Sequence, residues 1–185
     1  ELIRSIYAYG QAVLKRRAKE IDAEGMVGLE TLIADMWETM ENANGVGLAA
    51  PQIGKSIRLF IIDTKPMYPE EEQGRAMRRV FINPEKVEEE GDEWKYEEGC
   101  LSIPDVTGEV LRPERIELAY LDEQLKPQKE VFEGLNARVI QHEYDHLEGV
   151  LFTEKLPPIK RRRIRKKLKQ IQDGKIQARY KMKFA

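Results

Sequence analysis

The chain has 185 residues, enough for one domain around a single core and too few for a comfortable second one. Hydrophobic residues make up 41% and charged residues 35%, a globular composition that excludes a disordered chain, and no apolar run is long enough for a membrane-spanning helix. The net charge of −2 hides a strong polarity: residues 155–185 hold 13 Lys/Arg against one acid, Asp173, so the rest of the chain is markedly acidic.

In chain order, Glu1 to Gln11 show neither the apolar stretch nor the small-residue cleavage site of a secretory signal. Leu29, Leu32, Ile33, Met36, Trp37 and Met40 recur at helical spacing, which predicts an amphipathic helix over Leu29–Asn42 that ends at Asn44-Gly45. Strand-like runs follow at Ile57–Ile62, Val80–Asn83 (stopped by Pro84), Trp94–Tyr96, Val106–Leu111, Ile116–Leu121 and Gln128–Phe132. Most connections are short enough for antiparallel pairing. Lys65–Ala76, with Pro66, Pro69 and three consecutive glutamates, reads as an exposed loop. Asn136–Glu148 reads as a helix with Gly149 as its stop, and a last helix runs from about Pro158 to Gln172, with Ile164, Leu168 and Ile171 as its apolar stripe. The expected fold is α+β: mostly antiparallel sheet around a buried helix, with a C-terminal helix. No repeat or low-complexity linker divides it, so residues 1–185 read as one domain.

The sequence has two histidines, both in His142-Glu143-Tyr144-Asp145-His146. Side chains four apart on a helix lie nearly one above the other, so both imidazoles can reach one ion. Glu143 points elsewhere around the axis and is free to act on a water as a proton-transfer base. A catalytic site usually has three protein ligands and a water. Downstream, Phe152 occupies the position where one peptidase pattern places a third histidine, and no glutamate follows Glu154. The third ligand is therefore expected upstream. There Cys100, whose default reading as a lone cysteine is a small buried hydrophobe, sits in Glu98-Gly99-Cys100-Leu101-Ser102-Ile103-Pro104. Gly99 permits a tight bend, and Pro104 is expected to end any strand. A zinc endopeptidase lacking its usual downstream ligand, and a binding module with a closed structural metal, remain alternatives to an amide hydrolase at this point.

Three separated motifs, Gly45-Val46-Gly47-Leu48-Ala49-Ala50-Pro51-Gln52, Glu98-Gly99-Cys100-Leu101-Ser102 and Gln141-His142-Glu143-Tyr144-Asp145-His146-Leu147, together resemble those of peptide deformylase, in the same order. Tyr9-Gly10 and Val13-Leu14 resemble that family's start. The resemblance implies removal of the formyl group from the N-terminal formylmethionine of new polypeptides. It implies one divalent metal on Cys100, His142 and His146, Fe(II) being expected and Zn, Ni or Co acceptable substitutes. It also implies attack by a metal-bound hydroxide, with Glu143 as general base and then acid. By the same resemblance, the Gln52 side-chain amide and the Leu101 backbone N–H would steady the oxyanion. Gly45, Val46, Gly47 and Gly99 are the candidate substrate-binding positions, with an extended peptide lying against a strand edge. Val46, Leu101 and the helix from Arg138 to His142 are candidates for the methionine pocket.

Eight of the ten residues from Lys160 to Lys169 are Lys or Arg. They read either as a solvated helix face or as a contact for ribosomal RNA, which would be salt-dependent and largely sequence-independent. The expected location is the cytoplasm of a bacterium, with an organelle as the alternative.

Overall fold

The structure is a computed structural model and describes residues 2–185. In chain order the elements are β1 (Ile6–Tyr7), α1 (Leu29–Asn42), β2 (Gly47–Ala49), β3 (Leu59–Asp63), β4 (Arg78–Cys100), β5 (Ile103–Leu121), β6 (Pro127–Glu133), α2 (Gly134–Leu147), α3 (Pro158–Gln172) and β7 (Met182–Lys183). The strands β2-β3-β4-β5-β6 form one sheet in that order, antiparallel throughout. A separate parallel pair joins β1 to β7 and so ties the two ends of the chain together. The α+β expectation, including the C-terminal helix, holds.

Side chains on β3 alternate between two cores. Phe60 and Ile62 pack with Ile140 and Leu147 of α2, while Leu59 and Ile61 pack with Ile33, Met36 and Met40 of α1. This two-sided burial explains why the strand reads as a continuous apolar run. Phe81 sits at the centre of the first core, stacked on Phe60 at 4.7 Å and packed against Tyr120 and Phe132. A third core gathers Val13, Leu14, Ile103, Val110 and Phe152, and receives Ile164, Leu168 and Ile171 from α3. That docking buries the predicted stripe and leaves the basic face of α3 in solvent.

Eleven of the fourteen residues of α2 are buried, so a motif rich in polar groups lies inside the protein and must find partners there. Arg58 closes the helix's C-terminal end: it donates to the carbonyls of Leu147 and Ala18 and pairs with Glu148 at 2.7 Å. Gly149 follows with φ 75°, and a Cβ there would stand 2.7 Å from the Lys15 carbonyl oxygen, so the predicted stop needs glycine on both counts.

The sheet corrects several expectations. Val80–Asn83 and Trp94–Tyr96 belong to one 23-residue strand, β4, and Val106–Leu111 and Ile116–Leu121 to one 19-residue strand, β5. Pro84 does not stop β4. It falls in a register shift between Ile82 and Glu85, after Asn83 at φ 49°, and further shifts lie between Lys86 and Glu88 and between Glu90 and Glu93. Pro113 is tolerated because it precedes the stretch, Arg115–Leu121, where β5 pairs with β6. Pro104 likewise does not end a strand: it is the second residue of β5. Lys65–Ala76 is the expected exposed connection, and it contains two 3₁₀ turns, Lys65–Met67 and Glu70–Arg75. Thr64 and Asn136 anchor it by a 2.7 Å hydrogen bond and by the Asn136 amide on the Arg75 carbonyl.

Candidate active site

The β4–β5 hairpin and α2 bring the predicted ligands together. One ligand atom from each of Cys100, His142 and His146 lies within 4.8 Å of the others. Cys100 Sγ is 3.4 Å from His146 Nε2. Cys100 is the last residue of β4, paired with Ile103 across a two-residue turn, Leu101-Ser102, and a register shift at Gly99/Cys100 supplies the bend expected of Gly99. The two imidazoles project from adjacent turns of α2, with ring centroids 5.1 Å apart. A thiolate with two imidazoles is a donor set that zinc and ferrous iron both accept, and three protein ligands leave a coordination position for water.

The two histidines are held differently. His142 Nδ1 lies 2.9 Å from Glu98 Oε1. A carboxylate only accepts, so Nδ1 carries the proton and Nε2 is left to face the cluster. Burial lowers the basicity of His142, but Cys100 and Glu98 more than compensate and raise it. His146 is lowered by burial and by the charges of His142 and Arg112, which favours its neutral form. Its Nδ1 is buried without a hydrogen-bond partner among the described residues.

Glu98 is the hub of an interior charge network. Arg112 donates to both its oxygens, at 2.6 and 3.0 Å, and reaches Asp145 at 2.8 Å. Arg138 donates to Glu98 Oε2 at 2.9 Å and to the carbonyls of Val110 and Trp94, with its guanidinium 4.6 Å from the Trp94 ring centre. Burial pushes the Glu98 carboxyl up, yet the hydrogen bonds from His142 and Arg112 hold it well below the usual carboxylate range. Sequence reasoning quoted Glu98 inside a motif and gave it no role. The signal that could have exposed it is a buried carboxylate beside a ligand, which needs the fold.

Glu143 is buried on the other flank of α2. Burial pushes its carboxyl up to about 7, against the lowering effect of His142, and its Oε1 has no partner among the described residues. Gly47 makes room for it: a Cβ there would stand 2.6 Å from Glu143 Oε2. Gly45 does the same for Leu101, at 2.7 Å from its Cδ1. Gln52 is buried and its amide orientation is fixed. Its Oε1 accepts from Ala49 N–H at 3.0 Å, which directs Nε2 to Cys100 Sγ at 3.4 Å and to Ser102 Oγ at 3.2 Å.

These groups open onto a cleft of about 570 Å³, which Gly45, Val46, Gly47, Gln52, Gly99 and Leu101 line together with His142 and Glu143. β2 runs along it as an edge strand, paired among the described residues only with β3. A smaller cavity of about 220 Å³ branches beside it, between Val46, Met67, Val139, Arg138 and His142. Leu101 lines the main cleft and not this branch, so the residues suggested for a methionine pocket divide between the two. Met67 places the Lys65–Ala76 segment at the site, and residues 177–180 form another wall of the cleft. The sequence assigns neither segment to the site, for neither has a local signal.

A half-buried thiol and two buried imidazoles, a carboxylate unpartnered among the described residues and an oriented amide, all opening on a cleft edged by a strand, are the equipment of an amide hydrolase. A family model described as polypeptide deformylase matches residues 3–162. The chain is 51% identical to the peptide deformylase of Christiangramia forsetii, with 99% of this chain and 96% of that one covered, and 50% identical to that of Cytophaga hutchinsonii, with 99% and 98% covered. Among solved structures, a peptide deformylase from Legionella pneumophila superposes with a TM-score of 0.80 at 40% identity, covering 94% of this chain and 98% of its own. The chain belongs to the polypeptide deformylase family, enzymes of protein biosynthesis that depend on a metal.

Proposed function

We propose that this chain removes the formyl group from the N-terminal formylmethionine of newly made polypeptides, and that Cys100, His142 and His146 hold one divalent metal ion. The observation that carries the reading is the unpartnered Glu143 Oε1, buried in the cleft beside that cluster. Fe(II) is the ion we propose, and zinc, nickel or cobalt suits the same donors. When bound, such an ion supplies Lewis acidity and lowers the pKa of a water ligand.

The chain's own groups do the rest. The peptide lies extended along β2, with Gly45, Val46, Gly47 and Gly99 beside it and the methionine side chain in the branch near Val46. Glu143 accepts a proton from the attacking water as its oxygen bonds to the formyl carbon. Gln52 Nε2, giving up its long contact to Cys100 Sγ and keeping that to Ser102 Oγ, and the Leu101 N–H donate to the oxygen that becomes negative, each worth on the order of 3 kcal/mol. Glu143 then delivers the proton to the departing nitrogen, and the C–N bond breaks to give formate and a free amino terminus. Glu98, by fixing His142, keeps one ligand in the correct tautomer.

The test is an anaerobic assay of formyl-Met-Ala and acetyl-Met-Ala peptides with metal analysis of the same sample. Release of formate and little or no acetate is expected. Preferential cleavage of the acetyl peptide, or of internal bonds, contradicts the reading.

We also propose residence in the cytoplasm and contact between α3 and ribosomal RNA. Arg161, Arg162, Arg163, Arg165 and Lys166 are exposed and form no ion pair among the described residues, which supports a phosphate contact. Deleting the tail would also remove β7, so the cleaner test reverses charges at Arg162, Arg165 and Lys166. Ribosome co-sedimentation at low salt should fall, and unchanged co-sedimentation rules the contact out.

A further inference from the structure

After α3, the chain turns back toward the site. Residues 177–180 line the cleft, and β7 then pairs in parallel with β1. The return is anchored along its length. Ile6 N–H donates to the Lys181 carbonyl and Ala8 N–H to that of Lys183, both at 2.9 Å, and the Gln11 amide donates to the Phe184 carbonyl. Ile176, Met182 and Phe184 pack on the third core beside Cys100. Tyr180, between these anchors, is partly buried and donates its hydroxyl to the Leu101 carbonyl at 2.6 Å. Burial, with the Cys100 charge nearby, pushes its phenol up, so the hydroxyl keeps its proton and remains a donor at neutral pH.

The turn that receives this bond is held at two other points. Ser102 Oγ accepts from Gln52 Nε2, and the Ser102 carbonyl accepts from Tyr9 N–H at 2.9 Å. Leu101 and Ser102 are the two central residues between Cys100 and Ile103, so the bonds from Tyr180 and Tyr9 to the two carbonyls set the orientation of both following peptide planes, and the bond from Gln52 holds the Ser102 side chain. The Leu101 N–H, in the plane just before, is the one that faces the reacting oxygen in the deformylase reading. We infer that Tyr180 is a positioning residue: its hydroxyl locks the Leu101-Ser102 turn, and through it the C-terminal tail fixes the Leu101 N–H relative to Cys100 and Gln52. The consequence for turnover rests on the deformylase reading, whereas the ordering of the turn does not.

Tyr180→Phe removes the hydroxyl and keeps the ring. With one of three turn anchors gone, kcat on a formyl-Met peptide should fall about tenfold with KM within about twofold, because the lost precision matters in the transition state and not in ground-state binding. Amide exchange should accelerate about tenfold at Tyr9, which is bonded to Ser102, and stay unchanged at Ile61 in β3. Unchanged Tyr9 exchange with kcat within about twofold overturns the assignment. So does equal acceleration at Ile61, which would mark a general loss of stability. Faster exchange confined to Tyr9 in a protein whose parent cleaves no formyl peptide retains the positioning role and removes the deformylase reading instead.

Discussion

Two groups of charged residues divide the molecule. Behind the site, Glu98, Arg112, Arg138, Asp145 and His142 form an interior set in which every member has a partner at 3.0 Å or less. On α3, the run from Arg161 to Lys166 is far denser in sequence, yet its cations face solvent and pair with nothing among the described residues. Removing a charge from water costs several kcal/mol, so the interior set persists only as a complete set. Each cation of α3 keeps its hydration and can be lost singly. The contrast teaches that the density of charge along a sequence does not report its structural weight. Burial decides that, and here the buried set is the one that orients His142.

The sharpest way to break the contrast is Glu98→Ala, which strands Arg112 and Arg138 in the interior. Denaturant unfolding should show a loss of about 3–5 kcal/mol, and unchanged stability would mean the network is not a unit. Glu98→Gln preserves the shape and removes the charge behind His142 Nδ1. Competition with a chelator should then show metal affinity reduced about 10–100-fold.

A smaller effect concerns pH. Burial raises Glu143 to about 7, and a base works only when ionised. kcat/KM should therefore fall as pH drops through a midpoint at or below about 7, lower still if a bound cation favours the carboxylate. A profile that rises only above pH 8 contradicts the assignment. The smallest effect belongs to α3: Arg162→Gln with Arg165→Gln should shift stability by no more than about 0.5 kcal/mol, and a larger thermal or chemical shift would erase the distinction between the two groups.

What could be read from the sequence follows from how local each signal is. α1 and α3 have their predicted bounds because an apolar stripe at helical spacing is complete within the element. β4 and β5 were read as fragments because Pro84, Gly91 and Pro113 normally punctuate strands. In the fold Pro84 and Gly91 fall in register shifts, and Pro113 lies beyond the β6 ladder. The ligand cluster was legible because His142 and His146 share one helix face and Cys100 stands alone. The network behind it was not, since Arg112 and Arg138 reach Glu98 from 14 and 40 residues away. Gly47 was read as room for substrate, and the structure adds a second occupant, the Glu143 carboxylate. Tyr180 has no signature at all: its position depends on β7 returning to β1.

The claim on which the rest depends is that Glu143 moves the proton while Cys100, His142 and His146 hold the metal. Glu143→Gln separates the two roles, because it is nearly isosteric and leaves all three ligands in place. Measured anaerobically on formyl-Met-Ala, with metal content determined on the same sample, the variant should retain its ion and lose about 10²–10⁴ in kcat. A variant that keeps both its metal and full turnover would contradict the account.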